Sequence, residues 1–199
     1  MKIHEYQARQ LLAEAGIAVP AFAVAESVPS AVAQAKKLFD AGIKEIVIKA
    51  QVHAGGRGKA GFVKLVSNLK DAEDAASFMF TNKMVSYQTG PEGLVVSKLL
   101  IAAAETIEKE YYLAITIDRS RRTATVIASA EGGVEIEVVA EKNPAAIIKV
   151  PMHPILGLQA FQARELAFQL GFTGKQVGQA ADIMMKLAKA FRDTDASLV

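Results

Sequence analysis

The chain has 199 residues, 51% of them apolar and 22% charged, which is enough to bury a core and to build one two-part domain or two small ones. Its 23 basic and 21 acidic residues leave a formal charge of +2, without the basic excess of a general nucleic-acid binder, and the absence of cysteine excludes disulfides, thiol nucleophiles and thiolate metal sites. His4, His53 and His153 are far apart in sequence, no run of about 18 apolar residues occurs, and the polar start Met1-Lys2-Ile3-His4-Glu5-Tyr6 lacks a signal-peptide core; a cytoplasmic protein with no zinc site and no membrane span is expected.

In chain order, Ala8, Leu11, Leu12 and Ala15 recur at helical spacing and predict an amphipathic helix over 4–15, stopped by Gly16. Pro20 resets the chain before a strand over 22–25. Ser27-Val28-Pro29-Ser30 then starts a helix that runs to Gly42 with Val32, Ala35 and Phe39 on one face. Two β-branched runs, 45–50 and 62–66, flank a glycine-rich loop. Asn68 caps a helix that continues through Phe80, and the turn Gly90-Pro91-Glu92-Gly93 leads into a strand over 94–101. Beyond Glu108 the pattern turns antiparallel: strands over 111–117 and 123–128 flank Asp118-Arg119-Ser120-Arg121, Glu131-Gly132-Gly133 starts a further reversal, and 147–150 is a fourth strand. Helices over 158–170 and 174–192 close the chain, the second burying Val177, Ala181, Met184, Met185 and Ala188. The class is α/β (α+β).

The glycine loop carries the chemistry. Gly56-x-Gly58-x-x-Gly61 lets backbone N–H groups approach a phosphate with no Cβ in the way. No helix opens after Gly61, so the loop is not a dinucleotide fingerprint; His53 stands where a Walker A loop has its first glycine, and Ala60 follows Lys59 where Ser or Thr is needed. A hairpin lid over phosphates remains, with Lys49, Arg57 and Lys59 converging on whatever the amides face, and with positive φ expected at Gly58. A solvated surface hairpin is the alternative for this stretch alone, and His53 reads more simply as a structural residue than as a general base.

The segments HEYQARQLLAEAGIAVP, VIKAQVHAGGRGKAGFVKLV, VSYQTG, KEYYLAITIDRSRR and SAEGGVEIEVVAEKNP, in this order and over nearly the whole chain, resemble the N-terminal half of the succinate–CoA ligase (succinyl-CoA synthetase) β-subunit family. The resemblance implies an ATP-grasp fold with a nucleotide held between two subdomains: 21–101 would form the first, and 1–20 with 102–199 an incomplete second. It also implies ATP or GTP with Mg²⁺ as cofactors, an α subunit as partner, and succinate and CoA as substrates of the complex. In that reaction the triphosphate phosphorylates a histidine on the α subunit, the phosphoryl group passes to succinate, and CoA displaces it.

By the same resemblance Lys49 matches the nucleotide-binding lysine, Gly56, Arg57 and Gly58 the loop over the phosphates, and Glu110 an acid that binds the nucleotide through ribose hydroxyls. Ala102 stands where the family has an acid at the hinge, so Ala102 and Glu105 would serve an adenine edge through backbone groups. Glu131-Gly132-Gly133 fits a turn needing positive φ as well as a ligand role. Acids and an Asn that hold Mg²⁺ in the family are expected beyond Val199, so neither a catalytic residue nor a metal ligand is expected within this chain, which reads as a fragment that on its own would not transfer phosphate. Pro20 offers guanine no side-chain donor, which favours ATP over GTP. A malate–CoA ligase β subunit and a non-catalytic nucleotide-binding subunit are the alternatives; a polyanion binder would need a basic stripe with exposed aromatics that the chain lacks.

Overall fold

The computed structural model describes residues 2–199, which fall into two compact units. One holds the chain up to Leu11 together with Ala18–Thr106, and the other holds Leu12–Ile17 with Ile107–Val199.

The first unit contains most of α1 (Glu5–Glu14), then β1 (Phe22–Ala25), α2 (Val28–Asp40), β2 (Ile46–Ala50), β3 (Val63–Val66), α3 (Leu69–Thr81) and β4 (Leu99–Ala103). Its sheet is antiparallel throughout, in the order β1-β4-β2-β3. Both long helices start where side-chain caps dictate: Ser27 Oγ accepts the Ser30 N–H at 3.3 Å, and Asn68 Oδ1 accepts the Asp71 N–H at 2.9 Å. Ala31 and Ala35 of α2 and Ala72, Ala75, Ala76 and Met79 of α3 pack with Ile46, Ile48, Leu99 and Ile101 of the sheet. Each fully buried Ile, Leu or Met side chain there contributes about 1.5–3 kcal/mol.

Two expectations are corrected here. The strand expected over 94–101 begins only at Leu99, because its neighbours end opposite that residue: Ala25 and Ala50 both pair with Leu99, and Leu94 makes only an isolated bridge to Met84. Residues 1–20 were grouped with 102–199 by resemblance, whereas the chain up to Leu11 belongs with 18–106. The reason is local chemistry, since Tyr6 N–H donates to Gln51 Oε1 at 3.1 Å and Glu5 pairs with Lys49 and Arg57.

The second unit contains β5 (Tyr112–Asp118), β6 (Thr123–Ser129), α4 (Ile136–Lys142), a 3-10 turn (Pro144–Ala146), β7 (Ile148–Pro151), α5 (Ala160–Gln169) and α6 (Lys175–Asp193). The strands run antiparallel in the order β5-β6-β7. On the other edge of β5, Ile115 and Val199 exchange backbone hydrogen bonds of 2.9 and 3.1 Å. Asp118 Oδ1 accepts the N–H groups of Ser120 and Arg121 and so closes the β5–β6 turn. Val177, Ala181, Met184, Leu187, Ala188 and Phe191 line one stripe of α6 and pack with Ala163, Leu166 and Ala167 of α5. Helix α4 was not foreseen: Ile136, Val138 and Val139 look strand-forming, but only Val139 is buried, and Glu137 between them faces solvent.

Candidate functional site

The chain leaves β2 at Ala50 and re-enters the sheet at Val63, and residues 51–62 between them form the glycine loop. Gln51 anchors its start. Its buried side chain accepts Tyr6 N–H and donates to the carbonyls of Lys49 and Ala50, while its own N–H reaches Lys98 O at 2.9 Å. The loop then folds on itself through Ala60 N–H to Gly56 O at 3.0 Å and Phe62 N–H to Arg57 O at 2.9 Å, and the buried Phe62 ring fastens its end. Positive φ falls at Gly56 (78°) and Gly61 (80°), not at Gly58 as expected; a Cβ on Gly58 would meet nothing within 4 Å. Gly56 is constrained twice, because a Cβ there would also lie 3.2 Å from Ser86 and from the Tyr87 ring. Gln88 Oε1 accepts the Gly55 N–H at 2.7 Å, so the VSYQTG segment braces the loop from outside.

Two of the expected cations converge. Lys49 Nζ lies 3.0 Å from Glu5 Oε1, and Arg57 Nη2 lies 2.9 Å from Glu5 Oε2 while Arg57 Nη1 donates to Ala50 O at 2.9 Å. Arg9 reaches Glu5 Oε1 from the next turn of α1 at 3.1 Å. Burial pushes the Glu5 pKa up, but the charge and hydrogen bond of Lys49 and then of Arg57 outweigh it, and the carboxyl ends below its usual range. Lys59 is exposed on the same loop. His53 stacks on His4 with ring centroids 4.0 Å apart, and burial, followed by the positive charge of His53, Lys98 and Arg57, lowers the His4 pKa. Glu5, Gln51 and Gln88 were not singled out from sequence. Of the three only Glu5 lies in the polar HEYQ start, which reads as an ordinary helix start until the loop is seen against it; Gln51 and Gln88 lie within the loop and the VSYQTG segment and carry no mark of their own.

Ala102 lies inside β4, fully buried, paired with Phe22 on one side and Val47 on the other; its backbone belongs to an interior strand. Glu105 follows that strand and is exposed. In the second unit Glu110 is exposed just before β5, and the two glycines of Glu131-Gly132-Gly133 lie against it. A Cβ on Gly132 would stand 2.5 Å from the Glu110 carbonyl carbon and 2.6 Å from Tyr111 N, and one on Gly133, where φ is 70°, would overlap the Glu110 carboxylate. This motif is therefore a close-approach turn that makes room for Glu110. Among the described residues no group of three or more His, Asp or Glu side chains stands close enough together to hold a metal ion.

A family profile described as an ATP-grasp domain matches residues 2–199. A protein of Acidobacterium capsulatum named succinate--CoA ligase [ADP-forming] subunit beta is 49% identical over the whole chain, and proteins of the same name from Persephonella marina and Halalkalibacterium halodurans are 46% and 48% identical. The chain spans about half the length of these curated relatives (51%, 50% and 50%). Among solved structures, ATP citrate lyase from Methanothrix soehngenii is similar over 98% of this chain and 45% of its own, with a TM-score of 0.73 at 19% identity. A dinucleotide-forming acetyl-coenzyme A synthetase from Ca. Korarchaeum cryptofilum is similar over 98% of this chain and 83% of its own, with a TM-score of 0.71 at 15% identity. These two likenesses are likenesses of fold.

Proposed function

Because the chain belongs to the ATP-grasp family, we propose that it is the nucleotide-grasping part of the β subunit of a succinate–CoA ligase. The whole protein, with an α subunit, would work in the cytoplasm and convert succinate, CoA and a nucleoside triphosphate to succinyl-CoA, the diphosphate and phosphate. The observation that carries the proposal is the convergence of Lys49 and Arg57 on one carboxylate beside a glycine loop, which places two cations within the span of a single small anion. Lys49 and Arg57 neutralise phosphate oxygens, and the loop through Gly56 and Gly58 offers backbone N–H groups to the same chain of phosphates. Glu105 follows the last strand of the first unit and supplies polar groups for a base edge, with Ala102 as part of the sheet behind it. In the second unit Glu110 is assigned to the ribose hydroxyls. The nucleotide, when bound, supplies the phosphoryl group; these residues bind and orient it.

Calorimetric titration with ATP tests the assignment. Lys49→Ala removes one charge-assisted contact, so affinity should fall by about 1.5–3 kcal/mol while the circular dichroism spectrum stays that of the parent. An unchanged affinity in a folded variant refutes it.

A further inference from the structure

Glu5 is the one acid among the described residues that pairs with both Lys49 and Arg57, and nothing in its residue type alone demands that role. Its position is built with care. His4 N–H donates to Gln7 Oε1 at 2.9 Å, which closes the first turn of α1. Tyr6 N–H is held by Gln51, and the His4 ring is held by the His53 ring, so the residues on either side of Glu5 are tied to the start of the glycine loop. Carboxylate, ammonium and guanidinium are all mostly shielded, with 22%, 24% and 25% of their side-chain surfaces exposed.

From this arrangement we infer that Glu5 is a positioning residue for polyphosphate binding: it holds Lys49 and Arg57 at a fixed separation before the ligand arrives. The inference rests on the nucleotide site proposed above and adds to it a group that need not touch the ligand.

Donor counting decides between this role and that of a stand-in anion that must leave. An ammonium has three N–H donors and a guanidinium five. Lys49 gives one to Glu5, and Arg57 gives one to Glu5 and one to the Ala50 carbonyl, so both keep donors for phosphate oxygens with Glu5 still in place. Charge points the same way. Glu5 is a single negative charge facing Lys49, Arg57 and Arg9, and the cluster stays cationic with the carboxylate present. Without the carboxylate, two long flexible cations repel each other and must be ordered by the ligand at the moment of binding, which weakens binding.

The test measures ATP affinity by calorimetry for the parent chain, Glu5→Gln, Glu5→Asp, Lys49→Ala and the double variant Glu5→Gln/Lys49→Ala. Glu5→Gln keeps the shape but presents an amide N–H₂ to a cation, and is expected to raise Kd by about three- to tenfold, with Glu5→Asp in between. The glutamine is expected to cost less in the Lys49→Ala background, a non-additivity that general loosening of the fold would not produce. Equal or tighter binding by folded Glu5→Gln, while Lys49→Ala is weaker, overturns the positioning role alone and marks Glu5 as a displaced counter-ion. Lys49→Ala without effect overturns the nucleotide site and this inference with it. Should Glu5→Gln fail to fold, Glu5→Asp carries the same comparison, and parental affinity in that variant overturns the inference.

Discussion

Replacing Gly132 by alanine adds a single methyl group at a place where backbone atoms leave no room for one. Carbon atoms pack best about 3.5–4.0 Å apart. The added Cβ would stand 2.5 Å from the carbonyl carbon of Glu110, 2.6 Å from the nitrogen of Tyr111 and 2.7 Å from its carbonyl carbon. All three are backbone atoms, so no side chain can swing away, and one of the two segments must retreat by about 1 Å. Overpacking of this kind costs about 1–3 kcal/mol, while the loss of glycine's freedom in the unfolded chain returns about 0.4–1 kcal/mol. A net loss of about 1–2 kcal/mol remains, which lowers Tm by roughly 2–8 °C for a chain of this size. With no tryptophan in the sequence, tyrosine fluorescence can follow the melt, and Tyr111, stacked on Phe172 at 4.4 Å, sits beside the perturbation. Gly178 on α6 is the control: a Cβ there meets nothing within 4 Å, so Gly178→Ala should stabilise by about 0.5–1 kcal/mol. A Gly132→Ala protein that melts with or above the parent would refute the close-approach account of this motif.

At Gly58 strain and ligand approach can be separated. Because φ is not positive there and a Cβ would meet open space, Gly58→Ala should melt like the parent, yet it should weaken ATP binding if the loop backbone approaches phosphates; unchanged affinity would show that the approach lies elsewhere on the loop. Acid should destabilise the first unit in two stages. The lowered His4 pKa means that the unfolded chain takes up its proton first, so stability present above pH 6.5 is lost as pH falls below that value, and His4→Phe, which keeps a stacking ring, should flatten this part of the profile in denaturant titrations at stepped pH. The lowered Glu5 pKa contributes stability that is full above 4.5 and is lost as pH falls through the folded value; Glu5→Gln should remove that second slope, and a slope that persists would place the acid-labile group elsewhere.

Legibility followed the range of the interactions. Caps and periodicity are local, and Ser27, Asn68 and the stripe on α6 could be read from a few neighbouring residues. The strand–loop–strand context of the glycine pattern was local too. The start of β4 was not, because Leu94–Lys98 has strand-like composition and fails to be a strand only for want of the neighbours that β2 and β1 give to Leu99–Ala103 from about 50 to 80 residues away in sequence. The pairing of Glu5 with Lys49 and Arg57 spans 44 and 52 residues and carries no periodic mark, so the acid that holds the two cations was invisible while the cations themselves were not. Gly58 shows the reverse error. A glycine in a pattern invites a left-handed backbone, but the bends fell on Gly56 and Gly61.

The position of β4 has a consequence for synthesis. It is the last strand of the first unit to be made and one of the two inner strands of that sheet, joining β1 on one side to the β2–β3 hairpin on the other. A nascent chain that has emerged only as far as α3 therefore holds a lone strand and a two-stranded ribbon, each with a bare edge and neither stable by itself. At roughly 5–20 residues per second, the 17 residues between Thr81 and Leu99 keep those edges waiting for about one to three seconds after α3 leaves the ribosome. Alanine-rich α2 and α3, already made by then, can shelter the apolar faces of the early strands but not their backbone edges. A pause once α3 has emerged but before Leu99 has would lengthen that exposure and favour misassembly, whereas a pause once Ala103 has emerged would leave a sheet able to close around its centre.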